Sequence, residues 1–314
     1  MKKILTIGLM LSICSSLVAQ STTIIQRDPV IAKMVEQINA DSLRSYITSM
    51  VSFGTRHTVS TQADSKKGIG AARLWVLGRF NQFAKESGGR MTAVIDSVTY
   101  KADKRRVDVD INLGNVVATL RGTDANDKRI FLITGHLDSR VTKIEDRTSD
   151  APGANDDASG CAAVIECARI MSKTAFPATI IFMTVSGEEQ GLLGARYMAD
   201  KSKKQGLNIE AVLNNDIVGS NNSNETNIIN NTQLRVFSEG LPSYELDSVA
   251  KNIRFMGLEN DGKARQLRDT SRKLLKGMWT TLKSNLSTGM TGLDAVGTIH
   301  RLWTMALPLF VLLK

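Results

Sequence analysis

Apolar residues recur at three- and four-residue spacing over residues 28–52, where Val30, Ile31, Met34, Val35, Ile38, Leu43 and Ile47 form one stripe. That spacing predicts a helix. Residues 69–85 repeat it. Met91 to Tyr100 and Arg106 to Arg121 read as strands, the second opening on the alternation Val107-Asp108-Val109-Asp110-Ile111. Three short apolar runs follow, Arg129 to Gly135, Ala178 to Val185 and Ala211 to Ile217, and they predict strands buried in a sheet. Between them, Ser159 to Lys173 and Gly191 to Lys203 read as helices. Alternating strands and helices predict an α/β fold, a three-layer αβα sandwich around a mostly parallel mixed sheet. The Asn- and Ser-rich stretch 220–232 predicts a surface loop.

Composition fits a soluble globular protein: 42% of the 314 residues are apolar and 23% charged. The formal charge of +9 raises the question of nucleic acid. Five of those charges lie in the last 48 residues and two are Lys2 and Lys3, which leaves the body at +2. No basic face belongs to the body, so no nucleic-acid partner is expected. Lys2 and Lys3 followed by the apolar run Ile4 to Val18 predict a secretory signal over residues 1–20, hence export to the periplasm or beyond. No internal run is long enough for a stable membrane span. Cys161 and Cys167 remain, six apart in a helical stretch. They point to different faces, so they predict buried thiols rather than a disulfide.

The chemistry sits where the predicted strands end, the place at which open α/β sheets bind their ligands. Gly135-His136-Leu137-Asp138-Ser139 offers an imidazole with a carboxylate able to take its other ring N–H. Gly153-Ala154-Asn155-Asp156-Asp157-Ala158-Ser159-Gly160 places two carboxylates at a helix start, where they could serve as caps or bridge cations. Gly187-Glu188-Glu189-Gln190-Gly191 sets a pair of Glu residues directly after an apolar strand; one can bind metal while its neighbour handles protons. Asn214-Asn215-Asp216 ends the next strand. Each segment alone has a plain structural explanation. Together His136, Asp156, Glu188, Glu189 and Asp216 make a nitrogen and oxygen donor set that suits zinc.

In that order the four segments resemble the co-catalytic di-zinc aminopeptidase family, whose relatives include bacterial leucyl aminopeptidases, glutamate carboxypeptidases and glutaminyl cyclases. The resemblance covers residues 30 to 266. It implies an exported zinc exopeptidase acting on peptide substrates. Asp156 would bridge two Zn2+ ions, His136 and Asp216 would complete one site, and Glu189 with a late histidine the other. Glu188 would be the general base and Asp138 would orient His136. A cis peptide after Asp156 is also implied. A glutaminyl cyclase with one zinc, or a binding module without catalysis, are the alternatives on the same scaffold.

The late histidine is missing, and after Gln266 the resemblance ends. The only late histidine is His300, in Thr298-Ile299-His300-Arg301. In the reading frame one base earlier, single-codon residues force several letters. Met278-Trp279 gives Val, Met305-Ala306 gives Gly, and Trp279-Thr280, Met290-Thr291 and Trp303-Thr304 each give Asp. With permitted synonymous codons elsewhere, that frame encodes an amphipathic helix, a strand and a Gly-Gly-Asp-His segment. The expected organisation is therefore a signal over 1–20, a catalytic domain over 21–266 and an out-of-frame tail over 267–314. The second zinc site would lack its histidine and the C-terminal part of the sheet would be incomplete.

Overall fold

The computed structural model describes residues 28–103, 105–220, 236–238, 247–256 and 262–270. The predicted signal over 1–20, the greater part of the Asn-rich stretch and the tail with His300 lie outside them. The chain opens on helices α1 (Pro29–Val35), α2 (Ala40–Val51) and α3 (Gly68–Lys85). Strands β1 (Met91–Tyr100), β2 (Ile111–Leu120) and β3 (Ile130–His136) follow, then α4 (Ala158–Met171), β4 (Thr179–Val185), α5 (Leu193–Gln205), β5 (Ile209–Asn214) and α6 (Asp247–Met256).

The single helix expected over 28–52 is two. Asp28 caps α1 by accepting from Val30 and Ile31 N–H, with Pro29 at the first turn. The break comes from far along the chain. Glu166 of α4 accepts the Asn39 N–H at 2.8 Å, Arg169 donates to the Gln37 carbonyl at 2.6 Å, and Asn39 then caps α2. The second strand is also shorter than its alternation suggests. Asp103, Asp108 and Asp110 turn into local contacts with residues 105–107, Arg147 and Lys101, so pairing starts only at Ile111.

The five strands are ordered β1-β2-β4-β3-β5. β3 runs parallel to β4 and β5, while β2 is antiparallel to both β1 and β4. Four strands thus share one direction and β2 opposes them. Side-chain alternation sorts the core into two layers. Val116, Ala118, Phe131, Ile133, Ile180 and Phe182 pack with helices α1 to α4, whereas Val117, Leu132, Ile181, Met183 and Val185 pack with Met198 of α5. This is the expected αβα sandwich. Helix α4 is buried along nearly its whole length, which explains its run of Ala, Cys and Val. Cys161 and Cys167 are free and buried there. Among the described residues the sheet ends at β5, and Val212 on it is exposed. No described helix is long and apolar enough to cross a membrane.

Candidate metal centre

Parallel pairing brings the motif segments together. His136 is level with Val185, and Thr134 with both Met183 and Asn214. The residues just past β3, β4 and β5 therefore emerge side by side. Asn215 donates its backbone and side-chain N–H groups to the Thr134 carbonyl, which fixes the turn into Asp216.

The two neighbouring aspartates divide the possibilities the sequence left open. Asp157 is fully buried and caps α4. Its Oδ1 accepts from Gly160 N at 2.9 Å and Ile217 N at 3.3 Å, and its Oδ2 from His136 N at 2.9 Å. One carboxylate thus ties together the end of β3, the start of α4 and the segment after β5. Asp156 stands half-exposed, with Oδ1 2.9 Å from His136 Nε2. The peptide between the two is cis, as the resemblance implied. Gly160 is required here because a Cβ would lie within 2.5 Å of both Asp157 carboxylate oxygens.

His136 is buried and presents Nε2 to the carboxylates, 3.8 Å from Asp216 Oδ1. Its Nδ1 is 3.1 Å from the Asp138 backbone carbonyl and 3.7 Å from Asp138 Oδ1. The nearer acceptor is thus the main chain of Asp138, not the carboxylate that sequence reasoning assigned. With Nδ1 turned to that carbonyl, Nε2 is the ring nitrogen that faces the site. Ligand atoms of His136, Asp157 and Asp216 all lie within 4.8 Å of one another. Since Asp157 already accepts three backbone N–H groups, Asp156 is the carboxylate free to act beside Asp216. An imidazole nitrogen with two open carboxylates matches the donor chemistry of zinc.

Asp138 has a second task. Its Oδ1 and Oδ2 accept from Glu188 N and Glu189 N, each at 3.1 Å. The end of β3 is thereby clamped to the turn after β4, which carries the Glu pair. Burial works to raise the Asp138 carboxyl, but the His136 ring and the two N–H groups outweigh it and hold it below the usual range. Glu188 is half-buried, and burial raises its carboxyl; His136 opposes this, while Asp138, Glu189 and Asp216 add to it. Asp216 is raised by burial as well, again opposed by His136 and reinforced by Asp156 and Asp138. Burial disfavours the charged form of His136, yet Asp138 and Asp156 hold its proton well above the ordinary imidazole value. A cluster this acidic favours a bound cation.

Glu189 faces elsewhere in part: its Oε2 accepts from Arg140 Nε at 2.5 Å, and its carbonyl from Arg106 at 2.9 Å. Beyond it a cavity of about 520 Å³ opens against Gln190, walled by Tyr100, Leu113, Leu193 and Tyr197.

Sequence reasoning missed three residues. Arg56 is fully buried and donates to the carbonyls of Met50, Leu137, Pro152 and Gly153, bracing both loops that carry the candidate ligands. Nothing in the sequence marks it, since its partners are main-chain atoms. His57 Nδ1 accepts from Val59 N, so Nε2 carries the proton, donated to the Ile144 carbonyl at 2.9 Å. Arg140 was within reach: it directly follows the His136 segment.

Residues 115–253 match the model of peptidase family M28, which spans every chemical segment above. A protein described as a probable zinc metalloprotease of Leptosphaeria maculans is 47% identical over 237 residues, 76% of this chain and 54% of that protein. The chain spans about half the length of the curated relatives it matches. The solved LapA aminopeptidase of Legionella pneumophila aligns with a TM-score of 0.50 and 23% identity, covering 66% of this chain and 50% of that one. Glutaminyl cyclase of Bacteroides thetaiotaomicron, bound to N-acetylhistamine, aligns with a TM-score of 0.51 and 16% identity, covering 86% and 98%. Those two likenesses are of fold. This chain carries a peptidase family M28 domain.

Proposed function

We propose that the chain is an exported zinc-dependent exopeptidase that hydrolyses the N-terminal peptide bond of its substrates. The observation that carries this is His136 Nε2 facing the open carboxylates of Asp156 and Asp216 past the ends of β3 and β5, with Glu188 tied to the same strand ends through its N–H to Asp138. His136, Asp156 and Asp216 would hold the ion, and Glu189 is the ligand that a second ion would use. Zinc bound there supplies a Lewis acid for the scissile carbonyl and lowers the pKa of a water. The protein's own part is proton handling and alignment. Glu188, its carboxyl raised by burial, accepts the proton of the attacking water and returns it to the leaving amine nitrogen. Asp138 keeps Glu188 in place through its backbone N–H and fixes the His136 ring through its carbonyl. The Lys2-Lys3 and apolar start of the chain supports export.

The test is zinc content after chelation, reloading and desalting. The wild-type chain is expected to retain zinc and the His136→Ala chain to lose it, with far-UV dichroism unchanged. Equal zinc in both would remove the assignment.

A further inference from the structure

The residues that would hold a second ion do not fit one in this chain. Among the described residues, only His136 brings an imidazole to the carboxylates. The other described histidine, His57, has both ring nitrogens engaged, with Val59 N and the Ile144 carbonyl. Glu189, the remaining ligand, is already paired. Its Oε2 lies 2.5 Å from Arg140 Nε, and its side chain is only 12% exposed. The Arg140 guanidinium also feels Asp156 and Glu188, so it is attracted by the same three carboxylates that a second divalent ion would neutralise. Its Nη1 is steadied by the Val141 and Thr142 carbonyls at 3.3 and 3.4 Å. A buried-side ion pair of this kind is a charge-assisted hydrogen bond, about twice as strong as a neutral one, and an incoming cation must break it.

We infer that Arg140 is the resident cation of the second metal position, so that this chain holds one zinc, on His136, Asp156 and Asp216. This rests on the zinc reading above and deepens it. Arg140 acts through Glu189 and is a positioning residue: it takes up that carboxylate and sets the stoichiometry.

The experiment is a zinc titration of the full chain against a chromophoric chelator, with zinc per chain measured by mass spectrometry. Wild type is expected to bind one zinc tightly. Arg140→Gln is expected to accept a second, with affinity raised roughly tenfold or more over the wild-type second event. Arg140→Lys keeps a charge there and is expected to stay at one. Arg140→Gln combined with Glu189→Gln is expected to lose the gain, which assigns it to the released carboxylate. Two tight ions in wild type, or a second ion weakened by Arg140→Gln, would overturn the inference: Arg140 would then be supporting Glu189 as a ligand. No tight zinc in wild type would overturn the zinc reading and this inference with it.

Discussion

Replacing Arg56 by Met keeps most of the side-chain volume and removes the charge and its forked donors. Four carbonyls lose a partner, but not equally. The Met50 oxygen still accepts from Phe53 N, and the Gly153 oxygen from Ala158 N at 3.0 Å. Those of Leu137 and Pro152 are left without a described donor. Leu137 is buried, and its orphaned carbonyl costs about 1–3 kcal/mol, whereas Pro152 is exposed and its carbonyl can turn to water. Part is returned, because burial of the guanidinium is itself unfavourable; it lowers the Arg56 pKa, against which Cys161 and the site aspartates push upward. The net loss is then about 1–2 kcal/mol, a sizeable share of ordinary domain stability. In urea, with a slope of about 2–3 kcal/mol per M, the midpoint is expected to fall by roughly 0.5 M. Because Leu137 and Pro152 flank the ligand segments, zinc affinity is expected to fall as well. The assay is urea unfolding followed by tryptophan fluorescence and far-UV dichroism. A loss below about 0.5 kcal/mol, the scale of surface substitutions, would refute the argument that Arg56 braces these loops.

Gly160→Ala drives a methyl into the Asp157 carboxylate and the Asn215 carbonyl, so the melting temperature is expected to drop by roughly 5 °C or more, read by scanning calorimetry. Asp127 titrates at about 2 because the Arg129 side chain and N–H stabilise its charged form. A depressed carboxyl contributes stability that is present above its unfolded value, about 3.9, and lost as pH falls towards 2. The stability gap between wild type and Asp127→Asn is therefore expected to close between about pH 4 and pH 2 in thermal melts; a gap constant over that window would contradict the pairing. Replacing residues 267–314 by the sequence of the preceding reading frame restores a late histidine, and the rate on aminoacyl-nitroanilides is expected to rise; with Arg140 in place zinc stays at one per chain, and the second ion is expected only when Arg140→Gln is added to the repaired chain. An equal rate in both chains would remove the case for a shifted frame.

Strands β3 and β4 were legible because a strand covered on both faces must be largely apolar, and Ile130 to Gly135 and Thr179 to Val185 are apolar apart from Thr134, Thr179 and Thr184. The candidate ligands stand out in the sequence for the complementary reason: polar groups ending such strands have no place in a core. The break between α1 and α2 was not, because its cause is Glu166 and Arg169, far along the chain, while the apolar stripe runs on through Ile38. Val107 to Asp110 alternates like a strand, yet its aspartates are satisfied by Lys101 and Arg147. The division of labour between Asp156 and Asp157 was open for the same reason. Adjacent identical residues differ only in which one the backbone turns toward Gly160, Ile217 and His136.

Glu188 is proposed to move the proton at a zinc site built on His136. The most direct measurement is release of nitroaniline from a panel of aminoacyl-nitroanilides by the zinc-loaded chain and by its Glu188→Gln variant, with zinc content determined on the same samples. Hydrolysis by wild type is expected, with a variant that keeps its zinc and whose kcat is lower by about a hundredfold or more. A variant as fast as wild type, or a zinc-loaded wild type that releases nothing from any member of the panel, would contradict it.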